Sequence, residues 1–173
     1  ETGMIAAPKI NPACNVFLKT ENLQITGSFK IRGSYFKMSQ LTDEEKKKGV
    51  IACSAGNHAQ GVALAATRNG IKSIICLPDG APISKVEATK RYGAEVCLVK
   101  GVYDDAYKKA IELKEEKQMT FIHPFDDVDL CVLPINPLIE AANKKNRRLF
   151  YRSLNNGDIP NEVQKQSIDA VEE

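Results

Sequence analysis

The chain has no apolar run approaching the ~20 residues that a membrane-spanning helix needs, and it does not open with a basic stretch leading into an apolar segment. Both absences predict a cytoplasmic protein. It also lacks an excess of charge of one sign, because 24 Lys and Arg stand against 22 Asp and Glu, a formal net charge of +2. Without a strong field there is no electrostatic case for nucleic acid or an anionic membrane as partner. The five cysteines, at positions 14, 53, 76, 97 and 131, include no Cys-x-x-Cys pair. Four of them lie inside short apolar runs, which predicts buried free thiols rather than a metal site or disulfides. Finally, none of the eleven glycines is adjacent to another, and no Gly-x-Gly-x-x-Gly or Walker-type loop follows an apolar run. That absence weakens any reading as a nucleotide-binding domain.

What is present is the composition of a globular protein. In 173 residues, 43% are hydrophobic and 27% charged, enough for one domain with a sizeable core or a small domain with appendages. From residue 49 onward, short apolar runs alternate with helical patterns. Val50-Ile51-Ala52-Cys53 reads as a strand, His58 to Asn69 as an alanine-rich helix closed by Gly70, and Ser73 to Leu77 as the next strand. Pro78-Asp79-Gly80-Ala81-Pro82 is a turn by composition, followed by a helix over Ile83 to Tyr92 and a strand over Glu95 to Val99. A helix over Tyr103 to Lys117 and a strand over Met119 to Ile122 complete the series. The Lys46-Lys47-Lys48 run, balanced by Asp43-Glu44-Glu45, reads as a solvated helix face.

Strands separated by single helices need crossover connections, which give a parallel sheet with helices on its faces. The expected fold class is therefore α/β, an open parallel sheet with helices on both faces. Ligands of such sheets bind at the carboxyl ends of the strands, and Ser54-Ala55-Gly56-Asn57-His58 falls at one such end. The chemistry is suggested by a second segment, Gly27-Ser28-Phe29-Lys30-Ile31-Arg32-Gly33. Thr26-Gly27-Ser28 reads as a turn into a helix start, with Ser28 able to cap its orphan N–H groups and Phe29 as an apolar neighbour of Lys30. A lysine held at a cleft in this way can form a Schiff base with an aldehyde cofactor. An ordinary exposed lysine near a helix start would look the same in isolation. His58 and His123 read as structural, since neither has a sequence partner for ligation or relay.

Taken together, Gly27 to Gly33 and Ser54 to Gly61 resemble the two signature segments of pyridoxal-phosphate enzymes of the tryptophan-synthase β type, closest to threonine dehydratase and its serine dehydratase and racemase relatives. Leu41 to Gly49, Pro78 to Ala94 and His123-Pro124-Phe125-Asp126-Asp127 follow the same family pattern, so about 125 consecutive residues resemble it. The resemblance implies pyridoxal 5′-phosphate as cofactor, Lys30 as the lysine that binds it, Phe29 packing on its ring and Asn57 bonding its phenolic oxygen. It implies further that Ser54, Ala55, Gly56, Asn57 and His58 hold the carboxylate of an amino-acid substrate. The freed Lys30 amine would remove the α-proton, and loss of the β-hydroxyl would lead to a 2-oxo acid and ammonia. Amino-acid metabolism, isoleucine biosynthesis included, would be the setting, and a homo-oligomer the form of assembly the family allows. Serine racemases resemble Ser-Ser-Gly-Asn at the loop, with the second serine reprotonating the opposite face; Ala55 favours dehydration.

The chain departs from the family pattern where the cofactor phosphate should sit. Val128 to Ile135 resembles the strand that leads into a tetraglycine loop, but Asn136-Pro137-Leu138-Ile139 follows instead of glycines. The serine or cysteine that faces the pyridine nitrogen is also missing. The resemblance thus implies three parts: 1–48, a lysine segment belonging to a partial larger domain; 49–127, a small α/β domain; and 128–173, a divergent remnant and polar tail. It implies a truncated or rearranged ammonia-lyase of low or absent activity, with 128–139 as an apolar surface. The rival is a catalytically inactive module that pairs with an intact subunit.

Overall fold

The computed structural model describes residues 2–11 and 13–124. The sequence readings that fall on 125–173, including Phe125 to Asp127, the strand leading toward Asn136, Cys131 and a weak helical pattern around Val163 to Val171, lie outside the described residues.

A short antiparallel hairpin, β1 (Met4–Ala6) with β2 (Phe17–Lys19), opens the chain. One turn of 3-10 helix over Glu21–Leu23 leads to α1 (Lys30–Gln40) and α2 (Asp43–Lys48). The exposed α2 is fixed at its start by a capping box, in which Thr42 Oγ1 accepts from Glu45 N and the Glu45 carboxylate accepts from Thr42 N at 2.8 Å.

The main sheet is parallel throughout, in the order β5-β4-β3-β6. Its strands are β3 (Val50–Cys53), β4 (Ser73–Pro78), β5 (Glu95–Val99) and β6 (Thr120–Phe121). They are joined by α3 (Asn57–Arg68), α4 (Ile83–Arg91) and α5 (Tyr103–Lys117). The elements expected from residue 50 to residue 122 are all present. Several boundaries move by one residue: α3 runs from Asn57 to Arg68 rather than from His58 to Asn69, β4 extends to Pro78 and α4 stops at Arg91, while only Thr120 and Phe121 of the last apolar run pair with β3. The hairpin was not foreseen.

Helices cover both faces. Val50 and Ala52 of β3 and Ile75 and Leu77 of β4 face α3 and α4 with Val62, Ala63, Ala66 and Val86. The alternate residues Ile51, Cys53, Ile74 and Cys76 face α5 through Ala106 and Ala110. Every residue of α3 from His58 to Ala66 is buried, because this helix is enclosed by the sheet, α1 and α4. Its small side chains let three neighbours approach at once. Cys53, Cys76 and Cys97 stand level on three adjacent strands. Cys53 and Cys76 are buried free thiols as expected, whereas Cys97 is half-buried because β5 is an edge. Desolvation pushes the Cys53 thiol up to about 11 and the Cys76 thiol to about 12, so both are packing groups and poor nucleophiles. Among the described residues, no helix is long and apolar enough to cross a membrane.

Candidate active site

The chain runs outward from β3 through β4 to β5 and then returns to the far side of β3 for β6. That reversal puts the topological switch point between the carboxyl ends of β3 and β6, and the crevice at such a point is where open α/β sheets take their ligands. Ser54 to His58 leaves one of these ends and Ile122 to Pro124 leaves the other.

Lys30 is brought to the crevice by the start of α1. Gly27, at φ 68°, makes the turn that an L side chain would resist, and Ser28 Oγ accepts from Lys30 N at 3.3 Å. Ser28 therefore satisfies an orphan helix N–H as expected, although Phe29 occupies the capping position itself. Lys30 is half-buried, and its Nζ donates to the Pro124 carbonyl at 3.2 Å and lies 5.5 Å from the centre of the Phe29 ring. Phe29 is exposed.

The lysine helix is seated directly on α3. A Cβ at Gly61 would stand 3.2 Å from both the carbonyl carbon and the oxygen of Lys30, and 3.0 Å from Ser34 Oγ, which itself donates to that oxygen at 2.9 Å. Glycine permits this approach, so one turn of α3 fixes where the Lys30 backbone sits. From the outer side, Arg32 holds Glu21 by two hydrogen bonds, 2.8 Å from Nε and 2.9 Å from Nη2, and Thr2 Oγ1 donates to the same carboxylate. The Arg32 guanidinium bonded to Glu21 holds that carboxyl down at about 2.

At the start of α3, Ser54 Oγ accepts from Gly56 N at 3.2 Å, and Gly56 occupies the capping position with no side chain to offer. The first N–H groups of α3 are thus left to an anion at the positive end of the helix. Ser54, Ala55 and Gly56 are half-buried, and Asn57 is exposed. Asn57 Oδ1 accepts from Lys85 Nζ at 3.0 Å. His58 points inward and donates from Nε2 to the Ile122 carbonyl at 3.1 Å; a carbonyl only accepts, so the neutral ring carries its proton on Nε2. Nδ1 is buried with no hydrogen-bond partner among the described residues. Burial pushes the imidazole down to about 4, assisted by the charges of Lys30 and His123 and opposed by the Ile122 carbonyl. His58 is thus a structural pin between α3 and the end of β6. His123 packs against the rings of Tyr107 and Phe121.

Lys30 and His58 therefore meet the same three-residue exit from β6, from two different helices. Sequence reasoning singled out the lysine segment and the loop but not Gly61, Lys85 or the Ile122 and Pro124 carbonyls. A glycine in the middle of an alanine-rich helix was a readable sign of close approach. Lys85 lies in the Pro78 to Ala94 segment that follows the family pattern, but nothing there gives it a role at the site.

Comparison with known proteins places these features in a family. The model of the family described as pyridoxal-phosphate dependent enzyme matches residues 1–141. The L-threonine ammonia-lyase of Thermotoga maritima is 53% identical over 112 residues, which is 65% of this chain and 28% of that protein. The L-threonine dehydratase catabolic TdcB of Escherichia coli is 50% identical over 129 residues, 73% of this chain and 39% of that protein. Among solved structures, the processed form of threonine deaminase isoform 2 from Solanum lycopersicum superposes with a TM-score of 0.75 at 36% identity, covering 82% of this chain and 40% of that one. Maize serine racemase superposes with a TM-score of 0.76 at 32% identity, covering 83% and 45%.

Proposed function

The chain belongs to the pyridoxal-phosphate dependent enzyme family, and from that premise we propose that it carries the lysine and carboxylate half of an ammonia-lyase site for L-threonine or L-serine. It spans 28% and 39% of the two curated relatives, so activity is assigned here to the site. The carrying observation is the convergence of Lys30 and the Ser54 to His58 loop on one crevice, with Lys30 Nζ 3.2 Å from the carbonyl that follows β6.

The donor set fits the cofactor at its aldehyde end. A half-buried amine, an adjacent exposed ring on Phe29, an amide at Asn57 and unused N–H groups at the start of α3 are the groups that an aldehyde, a pyridine ring, a phenolic oxygen and a substrate carboxylate require. No cup for the phosphate is found among the described residues. When bound, pyridoxal phosphate supplies an electron sink for the substrate α-carbon. Lys30 would hold the aldehyde through its amine and would serve as the base for the substrate α-proton. The Ser54 to His58 backbone would orient the carboxylate, Asn57 would bond the phenolic oxygen and Phe29 would keep water from one ring face. Ala55 offers no hydroxyl for reprotonation from the other side, which favours dehydration to a 2-oxo acid and ammonia over racemisation.

Residues 1–48 would then belong to the larger domain and 49–127 to the smaller. A cytoplasmic setting fits the sequence. One relative is named catabolic, so the site supports amino-acid breakdown as readily as isoleucine biosynthesis.

The test is a titration of the chain with pyridoxal phosphate, borohydride fixation and peptide mapping, followed by addition of L-threonine or L-serine. A modified Lys30, a visible band absent from Lys30→Ala, and release of a 2-oxo acid are expected. A band that survives Lys30→Ala overturns the assignment. A second reading is favoured by the exposure of Met4, Ile5, Phe17, Leu18, Leu23 and Ile25, an apolar surface on the hairpin side. It is a catalytically inactive module that associates with an intact subunit, and it predicts association without any Lys30 adduct.

A further inference from the structure

We propose that Lys85 is a positioning residue that fixes the orientation of the Asn57 amide, turning its oxygen toward α4 and leaving its Nδ2 donor to the crevice. This inference rests on the reading of Asn57 as the residue that bonds the cofactor's phenolic oxygen.

The chemistry follows from what each group can do. An ammonium has three donors and no acceptor, and an amide has one acceptor atom and one donor atom on diverging bonds. A contact of 3.0 Å between Lys85 Nζ and the Asn57 side chain therefore requires the oxygen to face the lysine. Asn57 Nδ2 makes no hydrogen bond to the described residues, so it is the part of the side chain that remains for a ligand.

Lys85 is well placed to impose this. It lies in the first turn of α4, whose Val86 and Thr89 are buried, and its own carbonyl accepts from Thr89 Oγ1 at 2.8 Å. The backbone is thus anchored and the half-buried side chain spans from α4 to the first residue of α3. Asn57 is otherwise exposed, and nothing else among the described residues sets which way its amide lies. Without the ammonium nothing among the described residues would hold the amide in that orientation, and the reversed one would present an acceptor to the phenolic oxygen, which when ionised is itself an acceptor. Held against Asn57, the lysine charge would favour the ionised form of a phenolic oxygen bound there.

The experiment compares Lys85→Met and Lys85→Arg with the unaltered chain in two measurements. The first is the side-chain amide spectrum of asparagine-labelled protein without cofactor, with the Asn57 signals assigned by their loss in Asn57→Asp. The second is the pyridoxal-phosphate concentration needed for Lys30 adduct formation, with its visible absorbance followed against pH. We expect Lys85→Met to shift the Asn57 amide signals, to weaken adduct formation about tenfold and to move the absorbance pH profile. Lys85→Arg should restore both. Unchanged Asn57 signals in Lys85→Met overturn the proposal. If the unaltered chain forms no Lys30 adduct, the parent reading fails, and the amide spectrum alone decides whether Lys85 orients Asn57.

Discussion

Gly61 and Lys30 touch through their backbones: the missing side chain of one leaves the space that the carbonyl of the other occupies, at 3.2 Å from where a Cβ would stand. Gly61→Ala should gain about 0.5–1 kcal/mol of helix propensity and lose about 1–3 kcal/mol to overpacking, because two of the three contacts are backbone atoms that cannot swing aside. A net loss of about 1–2 kcal/mol is expected in urea unfolding. Adding Ser34→Ala, which removes the hydroxyl 3.0 Å away, should recover only part of it. A neutral or stabilising Gly61→Ala would show that α1 can slide on α3 and that the seat of Lys30 is not fixed there.

His58 makes stability depend on pH. Its folded value of about 4 lies below its ordinary 6.5, so its contribution is complete above 6.5 and is lost as pH falls through the interval down to about 4. The full loss is on the order of 3 kcal/mol, at about 1.36 kcal/mol per unit. The chain has only two histidines, and carboxylates such as Glu21 add their own slope only below about pH 5, so the slope above about pH 5 can be assigned. His58→Gln keeps a donor for the Ile122 carbonyl without a titrating group and should flatten the stability profile between pH 6.5 and about 5 in thermal melts. A slope that survives in the variant would sink this account.

A second, more acidic limb belongs to Glu21. Arg32 holds its carboxyl at about 2 against an ordinary 4.5, so this pair stabilises above pH 4.5 and fades as pH falls toward 2. Glu21→Gln should remove that limb and cost about 1 kcal/mol at neutral pH, given that both side chains remain partly exposed. Because Glu21 precedes α1 and Arg32 lies on it, the loss should appear as faster amide exchange in the hairpin and the 3-10 turn while β3 and β4 stay protected. Uniform acceleration across the sheet would show that the pair supports the whole fold instead.

The parts of the molecule that were legible in the sequence share a physical cause. Between residues 50 and 117 the strands are four to six residues of continuous apolar character, and the helices end at Gly70 and Gly93, so pattern and punctuation agree. The hairpin strands are three residues each and mostly exposed on both faces. They carry no alternation to read, and their register depends on the rest of the chain. The same division runs through the site. Lys30 and Ser54 to His58 sit in local turn-to-helix signals. Lys85, the carbonyls of Ile122 and Pro124, and the fit of Gly61 against Lys30 exist only once distant segments have met.

That dependence sets an order in time. The bond from Lys30 to Pro124 joins residues 94 apart in sequence, and the strand that delivers Pro124 is made after β4 and β5, which lie on the other side of β3. On a ribosome, the lysine helix and its glycine seat can dock early, while the crevice has only one wall until β6 emerges. Long-range parallel pairing of this kind is slow, and a chain halted before residue 120 would own the Lys30 amine without the β6 exit that it bonds.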